Sequence, residues 1–178
     1  MKIIVIAPAG FHLDYLGCYG NLWIDTSSLD ALAAESTVFD KYISDCPSAL
    51  GAWQAWRTGC FAGFLVGRAA AASMLSRGSG TIIFSGATGS LRGGAEFAAF
   101  ASPKFALRAL AQSMARELGP KGIHVAHVVL DGMIAQEDSP SESLLQPAAI
   151  AETFYQLHRQ NRSAWTHELD LRPSSEKF

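Results

Sequence analysis

The stretch Thr81-Ile82-Ile83-Phe84-Ser85-Gly86-Ala87-Thr88-Gly89, followed a short way on by Phe100-Ala101-Ser102-Pro103-Lys104, decides how this chain is read. The first four residues are an apolar, β-rich run ending in small and polar residues, which predicts a buried strand that opens into a loop. The glycines at 86, 89, 93 and 94 make that loop flexible. A helix then begins near Phe100 and carries Leu107, Leu110, Met114 and Leu118 at intervals of three and four, until Gly119-Pro120 closes it. Phe100 and Lys104 lie one helical turn apart and so share a face. A tyrosine at 100 would have its phenol pKa lowered by the lysine and could deliver a proton; phenylalanine cannot.

Outward from this core, strand and helix signals alternate. Ile3 to Ala7 reads as a buried strand ended by Pro8 and Gly10. Asp25 to Ser28 supply cap residues before a helix running to about Ser36, and Val38 to Ile43 reads as a second strand. Phe61, Leu65, Ala69 and Ala72 follow helical spacing up to Arg77-Gly78-Ser79-Gly80. Ile123 to Leu130 is a further strand, Pro147 starts a helix carrying Ile150, Phe154 and Leu157, and His167 to Leu171 alternates like a last strand. The polar stretch Asp138 to Ser143 reads as an exposed loop. The expected fold is α/β, a Rossmann-like three-layer α/β/α sandwich with a mostly parallel sheet.

The 178 residues fit one domain, 1–178, and 49% hydrophobic content is enough to bury a core. A net charge of −2 without a basic stripe argues against nucleic acid and against an acidic membrane surface. The apolar run before Pro8 is too short for a signal peptide or a membrane span. Cys18, Cys46 and Cys60 are odd in number and not spaced like metal ligands, which suits a reducing compartment. A cytoplasmic protein is the expectation.

From about Cys60 to the end, Ser85-Gly86-Ala87-Thr88-Gly89, the helix from Phe100 to Lys104, the run from Ala106 to Leu118, Gly122-Ile123-His124-Val125 and Asp131-Gly132 together resemble a short-chain dehydrogenase/reductase. The resemblance implies a nicotinamide-dependent fold, NAD or NADP, and an oxidoreductase ancestry. The tetrad of Asn, Ser, Tyr and Lys that it implies falls on Gly59, Ala87, Phe100 and Lys104. Only the lysine is kept, so the resemblance implies weak or absent redox turnover. Lys104, Ser85, Gly132 and Ile134 are the cofactor contacts that it implies. The family's Gly-rich turn would fall on Ala7-Pro8-Ala9-Gly10-Phe11-His12, which holds a single glycine.

Residues 1–59 are similar instead to the start of a sulfatase, through Leu16-Gly17-Cys18-Tyr19-Gly20-Asn21, Ile24-Asp25-Thr26, Leu29 to Ser36 and Arg57-Thr58-Gly59. In that register the carboxylates expected for a cation fall on Pro8 and Ala9, the nucleophile on Ala49 and its arginine partner on Trp53. Cys46 is out of register, and Asp14 alone makes no metal site. The chain therefore reads as a hybrid of two α/β families joined near Gly59.

Bland roles compete at each position. A lysine near a helix start is commonly solvated, and loop glycines more often give flexibility than a phosphate cradle. Asp14, Asp25, Asp30 and Asp40 are explained by caps and solvated faces, and Trp53, Trp56 and Phe61 by core or interface packing. His124 and His127, three apart on a strand, point to opposite faces and do not share a metal, so no metal is expected. The small residues from Ala69 to Ala72 permit close helix packing, and the resembled family forms dimers and tetramers through the helices at about 60–77 and 102–119. A homo-oligomer through these helices is expected. The alternative to an impaired oxidoreductase is a non-catalytic scaffold or interaction domain; a working sulfatase ranks last.

Overall fold

The computed structural model describes residues 3–6, 56–135 and 142–176. Among the described residues, four parallel strands form one sheet in the order β1-β2-β3-β4: Ile3–Ile6, Gly80–Ala87, Ile123–Leu130 and Glu168–Leu171. Three described helices, α1 (Ala62–Leu75), α2 (Ala98–Leu118) and α3 (Pro147–Arg159), alternate with them, and a π-helical turn at Trp56–Phe61 leads into α1. Parallel pairing forces a crossover between neighbouring strands, and each helix here serves as part of one.

β2 and β3 pair over their whole length, from Gly80 opposite Ile123 to Ala87 opposite Leu130. Both are buried almost throughout, because helices cover the two faces of the sheet. On one face Ile82, Phe84 and Val125 pack with Val66, Ala70 and Met74 of α1 and Leu107, Ala111 and Leu118 of α2. On the other, Ile83, Ala126 and Val128 pack with Ile150, Phe154 and Leu157 of α3. The expected three-layer α/β/α sandwich is thus observed, with each described strand pair parallel.

The element positions follow the sequence pattern closely for β1, β2, β3, β4, α2 and α3. The buried face of α1 does not. Phe61 is 53% exposed and Ala69 and Ala72 are also exposed, while Gly63, Val66, Gly67, Ala70, Ala71 and Met74 face inward. The reason is close approach: a Cβ on Gly63 would lie 2.6 Å from Leu107 Cδ1, and one on Gly67 would lie 3.0 Å from Phe84 Cζ. Large side chains on that face would push the helix off the sheet, so the small residues are inside and the aromatics outside. The helix predicted over 25–36, the strand at 38–43 and most of the loop at 138–143 lie outside the described residues, as do Cys18, Cys46 and the four early aspartates.

At the end of α2 the 3-10 turn Gly119–Lys121 leads to Gly122 in the left-handed region at φ 88°, where the chain enters β3. A side chain there would also meet the Gly78 carbonyl oxygen at 2.2 Å. This turn therefore admits only glycine without rearrangement.

Candidate functional site

The C-terminal ends of β2 and β3 converge with the first turns of α2, the place where open parallel sheets bind ligands. β2 runs out through Ser85, Gly86 and Ala87 into the 3-10 turn Thr88–Ser90. Lys104, from α2, reaches back over this edge and donates from Nζ to the Ser85 carbonyl at 3.3 Å. Only 5% of Lys104 is exposed, so the structure buries the residue that composition alone would leave solvated. Burial disfavours the charged ammonium and lowers its pKa from 10.5 to about 8. A lysine in that range both holds and releases a proton near neutral pH.

Phe100 stands one turn before Lys104, with its ring centroid 5.8 Å from Nζ. The ring offers the ammonium a π face instead of an acidic hydroxyl. Phe100 also lies against the turn that follows β2: a Cβ on Gly89 would sit 2.9 Å from the ring. Ala87 closes β2, and its N–H donates to Ser90 Oγ at 3.1 Å. Gly59 is buried against the same helix start, where a Cβ would be 3.1 Å from Pro103 Cβ. The structure thus brings Lys104, Phe100 and Ser85 together, while Ala87 ends the same strand and Gly59 lies against Pro103 in the first turns of α2.

Gly132 and Ile134 lie beyond the end of β3. Gly132 has φ 158° and is packed under Pro173. Ile134 forms a parallel bridge with Leu145 and packs on the α3 side of the sheet. Asp131, between β3 and Gly132, is buried; it accepts from Thr88 Oγ1 and pairs with Arg172 at 3.2 Å. This bond ties the turn after β2 to the segment after β3.

A second polar group lies between the sheet and α2, and the sequence reading passed over it. Arg108, four residues after Lys104, holds Glu168 through Nε at 2.7 Å and Nη2 at 2.6 Å. Glu168 Oε2 is 3.0 Å from Nδ1 of the fully buried His127. His127 and Glu168 are register partners on β3 and β4, which puts their side chains on one face of the sheet. Arg108 holds the Glu168 carboxyl below its usual range, and burial keeps His127 below its own. The signal available in sequence was the four-residue spacing of Lys104 and Arg108; the carboxylate 60 residues on was not readable. His124 bonds elsewhere, to the Thr166 carbonyl, and stacks on Trp165. Among the described residues no cluster of three or more His, Cys, Asp or Glu could hold a metal ion, and no helix is long and apolar enough to cross a membrane. Cys60 is a half-buried free thiol whose pKa burial raises.

Sheet, layers and a buried lysine at the strand ends define a Rossmann-like α/β protein with its site on the carboxyl edge of the sheet. Residues 28–140 match the family model described as short chain dehydrogenase, and the chain belongs to that family. The match begins inside the segment 1–59, upstream of the boundary near Gly59 drawn from sequence, and no comparison supports a sulfatase-like head.

Among solved structures, a short-chain dehydrogenase from Rhodopseudomonas palustris is 44% identical, with a TM-score of 0.61 over 82% of this chain and 66% of that one. An alcohol dehydrogenase from the archaeon Thermococcus sibiricus, complexed with 5-hydroxy-NADP, is 20% identical, with a TM-score of 0.64 over 73% of this chain and 57% of that one. A metagenomic short-chain oxidoreductase in complex with NADP is 21% identical, with a TM-score of 0.59 over 84% and 68%. The last two share the fold. This chain spans between 57% and 68% of the length of these relatives. Comparison with the curated proteins gives no match.

Proposed function

We propose that this chain is a nicotinamide-nucleotide-binding member of its family, NAD or NADP, an oxidoreductase by descent whose redox turnover is weak or absent. One observation carries the reading: Lys104 is buried at the carboxyl end of β2, anchored on the Ser85 carbonyl, with its pKa near 8. Burying an ammonium is costly, and a site at the strand ends that uses it to bind a ligand gives that cost a function. The residues fit the nicotinamide end of such a nucleotide. Lys104 would hold its ribose hydroxyls, and Ser85, Gly132 and Ile134 would contribute backbone contacts beside it. When bound, the nucleotide supplies hydride chemistry.

The chain's own residues supply little of the accompanying proton chemistry. Phe100 shields Lys104 with its ring and carries no proton. Ala87 and Gly59 add neither a hydroxyl nor an amide. Loss of general acid catalysis alone costs about 10² to 10⁴ in rate. Lys104 is the group left to give a proton to a substrate oxygen.

We treat the chain as one domain, 1–178. The second reading is a scaffold or interaction domain, alone or as a homo-oligomer, and exposed aromatics favour it: Phe61 and Phe64 beside and on α1, and Phe97, Phe100 and Phe105 at and on α2, are each more than 40% exposed. Titration with NADH and with NADPH, read by nicotinamide fluorescence and melting temperature, separates the two. Saturable binding that raises the melting temperature, and that is lost in Lys104→Ala, is expected. A cooperatively folded protein that binds neither nucleotide would leave only the scaffold.

A further inference from the structure

Phe97, Phe100 and Lys104 follow one another at the start of α2 with spacings of three and four residues, which sets them in one stripe. The order along that stripe is inverted for a surface helix. Its two rings are 60% and 41% exposed, while the amine at its end is buried. Ordinarily the aromatic side chain turns inward and the lysine head stays in water. Here the Phe100 ring stands 5.8 Å from Nζ, so a carbon surface leads from solvent to a buried nitrogen.

The nitrogen is held at the carboxyl edge of the sheet by one hydrogen, given to the Ser85 carbonyl at 3.3 Å. A neutral amine gives that hydrogen and keeps its lone pair. Burial favours the neutral form: with a pKa of about 8, about a tenth of Lys104 is uncharged at pH 7, against about three parts in ten thousand for an amine at 10.5. A lysine desolvated in apolar surroundings is a nucleophile toward carbonyl carbon.

We propose that Lys104 captures apolar aldehydes as an imine at the carboxyl end of β2, with the rings of Phe97 and Phe100 seating the aldehyde's tail. The Nζ lone pair attacks the carbonyl carbon, a carbon–nitrogen bond forms, and one nitrogen hydrogen passes to the oxygen to give a carbinolamine. That oxygen then leaves as water with the second nitrogen hydrogen, and a carbon–nitrogen double bond remains. No oxidant or reductant is consumed. Phe100, on an exposed helix surface, changes rotamer on the ps–ns timescale and so opens the way to Nζ; closed again, it keeps water from hydrolysing the product. Capture uses the same lysine as the nucleotide reading given above but does not depend on it, and belongs to the chain without nucleotide.

The test treats the full chain at pH 7 with hexanal and cyanoborohydride, which reduces an imine to a stable secondary amine, and maps the adducts by peptide mass spectrometry. The map separates Lys104 from Lys2, Lys41, Lys121, Lys177 and the terminal amine. The larger neutral fraction favours Lys104 by about 300-fold over an amine at 10.5; lower basicity weakens the nucleophile and takes back part of this, so labelling at least about tenfold faster than at the other lysines is expected. In urea that advantage should disappear. Labelling of Lys104 no faster than the other lysines in the folded protein, or an advantage that persists in urea, would overturn the proposal. The apolar seat is tested with glycolaldehyde in place of hexanal, both scaled to the terminal amine. Lys104 should prefer hexanal severalfold, and Phe97→Ser, at an exposed position, should erase most of that preference without moving the melting temperature. An equal response to both aldehydes in the native chain would remove the seat. Hexanal trapping in a protein that binds neither NADH nor NADPH would uphold capture and dismiss the nucleotide reading; nucleotide binding without trapping would do the reverse.

Discussion

Replacing Lys104 with methionine should make the protein more stable while destroying the proposed site. The side chain is 5% exposed, and burial has moved its pKa from 10.5 to about 8. Each unit of such a shift corresponds to about 1.36 kcal/mol, so holding the charged lysine inside costs the folded state about 3 kcal/mol at neutral pH. Methionine has a similar length and no charge; it forfeits the bond to the Ser85 carbonyl, about 1 kcal/mol, and leaves a net gain of about 2 kcal/mol.

The sign with pH is specific. Below pH 8 lysine is protonated in both states, and the cost is felt in full. Between 8 and 10.5 the unfolded chain binds more protons than the folded one, so native stability rises with pH. Above 10.5 the cost is gone. The advantage of Lys104→Met over the native chain should therefore be largest at pH 7, shrink above pH 8 and give way to a deficit of about 1 kcal/mol above pH 10.5, where only the lost bond remains. Urea denaturation of both proteins across that range measures the difference, in which other titrating groups cancel. A variant less stable than the native protein at pH 7, or a difference that stays constant from pH 7 to 10.5, would refute the argument that Lys104 is buried at a cost.

Gly86→Ala would drive a methyl to within 2.3 Å of His127 Nε2 and should cost about 1 to 3 kcal/mol, lowering the melting temperature by roughly 3 °C per kcal/mol; a melting temperature within a degree of native would contradict the packing described. Phe100→Tyr restores a phenol one turn from Lys104 and should raise NADH- or NADPH-dependent reduction across a panel of carbonyl compounds, by at most about 10² because the hydroxyl is still missing at Ala87; no gain in a variant that binds nucleotide would mean that the ring does not face the reacting atoms. Glu168→Gln should lose about 1 to 3 kcal/mol at pH 7. Because the native carboxyl titrates below its ordinary 4.5, that contribution is complete above 4.5 and fades as pH falls through the folded value, so acid denaturation of the two proteins should converge at low pH.

The local pattern of this chain was enough to place most of its described elements. β3 was bounded at Ile123 and Leu130 because a β-branched run lies between Gly122 and Asp131, and α3 was found from Pro147 and the spacing of Ile150, Phe154 and Leu157. Alternation of strands and helices then fixed the parallel α/β class, since parallel neighbours need crossovers. The pairing of Phe100 with Lys104 was legible for the same reason: the two are one turn apart, and helical spacing alone puts them on one face. Two matters were decided only in three dimensions. The inward face of α1 is set by how near the helix comes to Leu107 and Phe84, so glycine and alanine outrank Phe61 and Leu65, a choice that periodicity of apolar residues does not encode. The burial of Lys104 and the path from Arg108 through Glu168 to His127 depend on β4 docking beside β3 in the register that sets Glu168 against His127. A sequence names the charged groups one by one; their solvation and their partners exist only once strands distant in the chain have paired.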